Sequence, residues 1–241
     1  MLNNFLYCTR KKRAYTNIML REEEQNKGGN ELKITPPKLR SFLSELDVNS
    51  ALLEDFYVSQ GIVTFLELEE EQEDKIIFDQ IHFQGVSMEG VRFQQVEFVD
   101  CLFEKCDLSN VDFGDAVFHR VEIRNSKLLG TNISQSRLTD VKIEDSVANY
   151  MSMSFSKLKK VLFKQTSINR ADFIESTFDK VSLEKCELDS ANFTETDLKG
   201  VDLSTNTYEQ LTVSMEKLAE CTVSTEQAIG FAKSLGLVIK E

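Results

Sequence analysis

From residue 76 to residue 205 the chain repeats a five-residue pattern without a break. The run opens IIFDQ IHFQG VSMEG VRFQQ VEFVD and closes CELDS ANFTE TDLKG VDLST. The third residue of each five is a centre: across 26 consecutive centres, Phe78 to Leu203, it is Phe, Leu, Ile or Met everywhere except Ala148. Two residues before each centre the side chain is small or β-branched, with Met151 the single exception. A helix repeats about every 3.6 residues and a flat strand every ~2, and neither sustains this period over such a length. A chain that turns two side chains inward in every five and then bends must wind around an apolar axis. Each rung then pairs its backbone with the rungs above and below, at the usual strand spacing of ~4.8 Å.

The number of fives per coil is written in the ladders. The centres Met88, Leu108, Leu128, Ala148, Ile168 and Leu188, spaced 20 apart, contain no Phe, although 11 of the other 20 centres are Phe. The small-position column Ile81, Cys101, Val121, Val141, Val161, Val181, Val201 is almost all Val. Like residues at this spacing are expected when stacked rungs share a packing environment, so four fives make one coil. The array then holds about 6.5 coils, a rod of roughly 31 Å at that rung spacing.

The flanks read differently. Residues 1–33 are polar, mixed in charge and aperiodic, which predicts a disordered leader. Residues 34–75 begin with Pro36-Pro37, continue with Leu39, Phe42, Leu43 and Leu46 at helical spacing, and include the β-rich run Gly61–Leu66 before an acidic connector. Repeat arrays need their first apolar layer covered, so 34–75 is assigned as an N-terminal cap. Residues 206–241 are assigned as a C-terminal helical cap. Within it Ser224 and Gln227 form a capping-box pattern, Ala228, Phe231, Ala232 and Leu235 make an apolar stripe, and Gly236 suits the position after the helix.

Composition narrows the chemistry. A net charge of -12 argues against direct binding to nucleic acid or an anionic membrane, because phosphate binding needs an excess of Lys and Arg. No apolar stretch is long enough for an ordinary membrane span. The basic cluster Arg10–Arg13 follows the short apolar patch at the N-terminus, the reverse of a secretory signal. The 5 Cys lack metal-ligand spacing and an even count, which suggests free thiols in a reducing cytoplasm. Cys101, Cys106 and Cys186 occupy the small inward position. Only 2 His are present; His82 and His119 flank centres, which predicts surface histidines on different faces. No phosphate-cradling, nucleophile-elbow or zinc-protease motif occurs. Neither a cofactor, a metal, a small-molecule substrate nor catalysis is expected.

The array resembles the pentapeptide repeat proteins, whose pattern is A(D/N)LXX with a central Leu or Phe. The nearest local matches are CDLSN at 106, ADFIE at 171, ANFTE at 191, TDLKG at 196 and VDLST at 201. This resemblance implies a right-handed quadrilateral β-helix with a short N-terminal cap and a C-terminal α-helix. The tail Val223–Ala228, continuing through Gly236-Leu237-Val238, resembles the C-terminal cap of the Qnr class of quinolone-resistance proteins. That likeness implies a homodimer joined through Ala228, Phe231, Ala232, Leu235 and Leu237. It also implies a type II topoisomerase as a partner, bound by mimicry of DNA.

Charge tests that implication. Residues 76–115 and 171–205 each net -6, whereas 116–170 net +6. The column centred on Phe93, Phe113, Ile133, Met153, Phe173 and Phe193 gathers Asp112, Asp115, Asp172, Glu175 and Glu195 against Arg92 alone. These five acids are the candidate partner surface. The rod therefore reads as acidic at its ends and basic at its waist, which fits DNA mimicry only in part. A scaffold for another cytosolic protein and a structural spacer are the alternatives. One irregular zone adds a candidate: the small centre Ala148 leaves room for the large Met151, while Tyr150 and Phe155 fall at outward corners and suggest an aromatic partner site.

Overall fold

The computed structural model describes residues 32–240 apart from 53–55, 69, 70, 73, 74 and 94. Except for its last two residues, the leader expected at 1–33 lies outside the described residues. In the array every fifth residue turns the chain. At each position two after a centre, from Gln80 to Gly200, φ is positive, between +48° and +76°. Residues other than Gly avoid this region by about 1–2 kcal/mol each, so the corners persist only because the ladder on either side fixes them. Most are Asp, Asn, Gln, Lys, Arg, Glu or Gly.

Four corners return the chain to its starting azimuth after 20 residues: Phe78, Phe98, Phe118, Leu138, Leu158 and Phe178 stack in parallel register. The array is a right-handed quadrilateral β-helix. Walls 1, 2, 3 and 4 are the sides centred on Phe78, Phe83, Met88 and Phe93 and on their successors every 20 residues. Walls 1 and 2 form one parallel sheet of eight strands: β1 (Ser44–Glu45), β2 (Tyr57–Val63), β3 (Ile77–Gln84), β4 (Glu97–Glu104), β5 (Val117–Arg124), β6 (Arg137–Glu144), β7 (Lys157–Lys164) and β8 (Thr177–Glu184). Along wall 3 and along wall 4 successive coils are joined by bridges, such as Lys127 to Val147 on wall 3 and Ser152 to Asp172 on wall 4.

All the centres are buried except Phe178, which is half-buried. Phe rings stack along walls 1, 2 and 4, as in Phe98 on Phe118 at 5.2 Å and Phe83 on Phe103 at 4.6 Å. Between walls they meet edge to face, as in Phe98 against Phe113 at 5.5 Å. Such interlocked rings fill the axis and leave wall 3 the smaller share, consistent with its lack of Phe. Ala148 and Met151 are both fully buried in adjoining positions. Inward Ser and Thr residues are satisfied within the ladder. Ser136 Oγ donates to the Phe113 carbonyl at 3.0 Å and accepts the Ala116 N–H at 3.0 Å.

The ladder extends past the array at both ends, and this corrects two boundaries. β2 pairs with β3 in full register, Val58 with Phe78 and Val63 with Phe83, so 34–75 is not all cap. Its centres are Val, outside the Phe/Leu/Ile/Met set, and the register slips locally by one residue, since Glu71 pairs with Arg92 at a separation of 21 before 20 returns at Ile77 and Glu97. The helix suggested by Leu39, Phe42, Leu43 and Leu46 does not form. Leu32–Arg40 carries no helix or strand, and Phe42 is largely exposed. Ser44–Glu45 instead joins the sheet edge beside Gly61 and Ile62. The seal is made by buried Leu43 and Leu66 and by Val48 of the short helix α1 (Val48–Leu52).

At the other end, 206–222 is a last coil: Leu211–Val213 pairs with Ala191–Phe193, and Thr222 with Asp202. Only then comes α2 (Thr225–Ser234). Its capping box is formed as expected, Ser224 with Gln227 in both directions. Gly236 at φ +81° and the Leu237 N–H to Ala232 carbonyl bond of 3.1 Å close it as a Schellman motif.

One feature had no signal in the sequence. The Lys38 N–H donates to Asp100 Oδ1 at 2.8 Å and the Thr35 N–H to Asp140 Oδ1 at 2.9 Å. Asp100 and Asp140 occupy the same corner two coils apart, so 35–38 runs as a strap along the edge between walls 1 and 2.

Candidate functional site

Wall 4 brings the five acids together. Asp112 and Asp172 lie on the wall itself, and Asp115, Glu175 and Glu195 lie on the corner between walls 4 and 1. Along that corner the ladder reads Asp115, Gln135, Phe155, Glu175, Glu195 at steps of one coil. Asp112 is oriented by Asn132, whose amide donates to Oδ1 at 2.7 Å, and Asp172 by Asn192 at 3.1 Å. Glu195 Oε1 accepts from Ser214 Oγ at 2.9 Å. Among the described residues none of the five forms an ion pair. Glu175 and Glu195, with Asp197 and the half-exposed ring of Phe178, line an open cleft of about 440 Å³. The gap over that ring explains why Phe178 alone among the centres is not fully covered.

The opposite wall is different. On wall 2, Glu104 accepts Arg124 at 3.0 Å, Lys142 meets Glu144 at 2.6 Å, and Lys164 approaches Glu144 at 3.8 Å. At the adjoining corner Arg120 binds Asp100 with two 2.6 Å contacts, and Lys160 stands 3.8 Å from Asp140. Burial raises the pKa of Asp100, but the guanidinium and the Lys38 N–H outweigh it and hold this carboxyl below its ordinary value. Seven of the ten cations in 116–170 are paired in this way. The basic waist read from segment sums is thus largely neutralised, in six of these seven cases by an acid one coil away. Counting charges by segment missed this, because the partner of residue i sits near i±20.

His119 is half-buried against Arg120. His82 is buried, not a surface residue, because Ile62 and Leu102 flank it along its column and are themselves buried. Its Nε2 lies 3.3 Å from Glu104 Oε2 without hydrogen-bond geometry. Burial holds the His82 pKa below the ordinary value, with Glu104 opposing and Arg124 assisting. Cys106 and Cys186 are buried thiols pushed by burial to a pKa of about 11, and Cys101 is pushed higher still; none is poised as a thiolate. Among the described residues no group of three or more His, Cys, Asp or Glu is placed to hold a metal, and no helix is long and apolar enough to cross a membrane.

Tyr150 and Phe155 are exposed at the two corners that bound wall 4, both at φ +61°. At the C-terminal end, Phe231 and Ala232 are half-buried, whereas Ala228, Leu235 and Leu237 are exposed, and α2 contributes no buried residue. It is tied to the last coil by Gln227, whose amide donates to the Leu203 and Asn206 carbonyls at 2.9 and 3.1 Å.

Comparison with known proteins agrees with this architecture. A family model described as "Pentapeptide repeat region" matches residues 67–133 and 116–193. The Bacillus subtilis (strain 168) protein YisX is 42% identical over 210 residues, covering 87% of this chain and 99% of its own. Among solved structures, a trypsin-treated variant of QnrB1, a plasmid-mediated fluoroquinolone resistance protein, is 18% identical, with a TM-score of 0.44 over 74% of this chain and 99% of that one. HetL of the cyanobacterium Nostoc sp. strain PCC 7120, a protein involved in heterocyst differentiation regulation, is 8% identical, with a TM-score of 0.41 over 73% and 91% of the two chains. On the family match and the YisX relationship, the chain belongs to the pentapeptide repeat family.

Proposed function

We propose that the protein is a non-catalytic, protein-binding solenoid of the cytoplasm, and that wall 4 is the surface it offers to a partner. One observation carries this reading: five acids on that wall and its corner stand outside any ion pair among the described residues, while Glu104, Glu122 and Glu144 of wall 2 lie against neighbouring cations. Carboxylates held in place on a rigid ladder present a field complementary to a basic groove.

The resemblance of the array and tail to the Qnr class makes DNA gyrase and topoisomerase IV the first partners to test, as targets of partial DNA mimicry. In a supercoiling assay with and without a fluoroquinolone, micromolar protein is expected to inhibit gyrase or to protect it from the drug. Neither effect at that concentration overturns the topoisomerase reading.

The C-terminal end supports a second copy as a further partner. Leu235 and Leu237 are exposed, and Leu211, Val213 and Leu218 of the last coil are only half-buried, so the single chain leaves apolar surface open at this end. Light scattering is expected to give twice the chain mass, and a monomeric mass removes the dimer.

A further inference from the structure

Between the N-terminal cap and α2, exposed large apolar side chains occur in one place only among the described residues. They are Leu129 at 37% exposure, Val147 at 41%, Tyr150 at 58% and Phe155 at 54%. All four fall in two neighbouring coils, on wall 3 and on the corners that bound wall 4. At every other corner of the array the sequence places a polar, charged or Gly residue. The left-handed backbone disfavours bulky aromatics, and neither ring gains burial in return, so folding does not account for them.

The two rings stand on either side of a shelf of small side chains. Across wall 4 at this level the outward residues are Ser152 and Ser154, with hydroxyls 3.4 Å apart, and Ser134 of the coil before lies 2.8 Å from Ser152. Arg170 Nη1 donates to Tyr150 Oη at 3.0 Å, and its guanidinium carbon lies 5.6 Å from that ring's centroid, which holds the ring in place. Phe155 has half-buried Ile174 beside it in the next coil. At ~4.8 Å per coil, Asp112 and Asp115 lie about two coils to one side of the shelf. Asp172 and Glu175 lie one coil to the other side, and Glu195 two.

We infer that this band is the anchor of the docking surface: a segment of another protein seats a large apolar side chain on the Ser152–Ser154 shelf, between Tyr150 and Phe155, and places Lys or Arg residues over the acids on both sides. This rests on the protein-binding reading of wall 4 and locates its centre. Charge selects the occupant. Phosphates of a nucleic acid are repelled by the flanking carboxylates, and a second copy docked face to face sets the same acids against themselves. Exposed aromatics beside charge also have the composition of binding hot spots.

The test uses the full chain and two synthetic nonapeptides. Both carry three arginines at each end; the centre is Leu-Trp-Leu in one and Gly-Gly-Gly in the other. The apolar-centred peptide is expected to bind at least ~10-fold more tightly. Tyr150→Ser with Phe155→Ser removes that preference with an unchanged melting temperature, and the glycine-centred peptide is unaffected by the double substitution. A second readout needs no variant: hydroxyl-radical footprinting of the native chain shows Tyr150 and Phe155 protected by the apolar-centred peptide. Equal binding of the two peptides, a preference that survives the double substitution, or unprotected rings overturns the inference. So does a double variant whose mass in light scattering falls from dimer to monomer, because the band is then a self-contact. If the peptide preference holds and gyrase does not respond, only the topoisomerase reading fails; if gyrase binds the double variant normally, only the anchor fails.

Discussion

Walls 2 and 4 face away from each other across one core, are built on the same five-residue unit, and handle charge in opposite ways. On wall 2 an acid at one level meets a cation one coil away, as Glu104 meets Arg124 and Glu144 meets Lys164. On wall 4 most neighbours of an acid along the ladder are uncharged or acidic, as with Asp112 beside Asn132 and Glu175 beside Glu195, and the one cation in register is Arg92, one coil from Asp112. In a parallel ladder each side chain stands about 4.8 Å from its counterparts in the adjacent coils, so a single choice at i+20 decides whether a charge serves the fold or remains for a partner. Net charge by segment cannot show this. Neutralising an acid therefore costs stability on and beside wall 2, and costs binding but little stability on wall 4.

The largest loss is expected at Asp100, which holds both Arg120 and the strap. Asp100→Asn keeps a residue that tolerates the left-handed corner and can still accept the Lys38 N–H, so the change isolates the ion pair. Its side chain is nearly buried and that of Arg120 about one-fifth exposed. Breaking the pair is expected to cost about 2 kcal/mol, below the ~3–5 kcal/mol of a fully buried pair because Arg120 keeps contact with water. Urea unfolding measures it, and a midpoint equal to that of the unsubstituted chain contradicts the claim. Glu104→Gln is expected to cost less, about 1 kcal/mol, because Arg124 retains Glu122 at 3.7 Å.

Acid should act on wall 2 through His82. Its pKa is depressed in the folded chain, mainly by burial, while the unfolded chain keeps the ordinary value of ~6.5. Stability from this group is therefore complete above that value and falls as pH drops through it, because the unfolded state binds the proton first. The slope cannot exceed about 1.4 kcal/mol per pH unit for one proton. His119, depressed by burial and by Arg120, adds in the same sense. Melting temperatures at pH ~7.5 and ~5.5 are expected to differ, and His82→Gln to narrow the gap. An unchanged gap in that variant assigns the acid sensitivity elsewhere.

The coil, its four sides and the buried centres were legible because every rung repeats one packing problem, so that the absence of Phe from the wall 3 column carried information. The first coil was not, because Val58 and Val63 serve as centres while a one-residue slip of register at Glu71 and Arg92 breaks the spacing. The helix expected from Leu39 to Leu46 failed for a related reason: the edge of the sheet offered Ser44–Glu45 backbone partners that an isolated amphipathic turn lacks. The strap had no pattern to reveal it, since its contacts run from backbone N–H groups, which every residue but Pro possesses. Of the candidate surface, the clustering of the five acids on one wall followed from the register. Their freedom from ion pairs required knowing where each cation's neighbour lies.

The smallest change in stability, and the clearest division between the walls, is expected from Asp115→Asn, Glu175→Gln and Glu195→Gln together. All three sit at left-handed corners. Asn and Gln already occupy that position elsewhere in the array, at Asn110, Gln135 and Gln165, so the backbone tolerates the replacements. With no ion pair lost, stability is expected to stay within ~0.5 kcal/mol, and any deficit beyond that traces to the Ser214 hydroxyl that Glu195 accepts. Binding of an arginine-flanked peptide or of gyrase is expected to weaken roughly 10-fold at low salt and to lose much of its salt dependence, because exposed charges act through a field that ions screen. Glu144→Gln on wall 2 is the control. It removes one negative charge from the same protein, but that charge is already shared between Lys142 and Lys164, so it should lower stability and leave binding unchanged. If the wall 2 control weakens binding as much per charge as the wall 4 variant, the partner senses total charge and wall 4 has no special place.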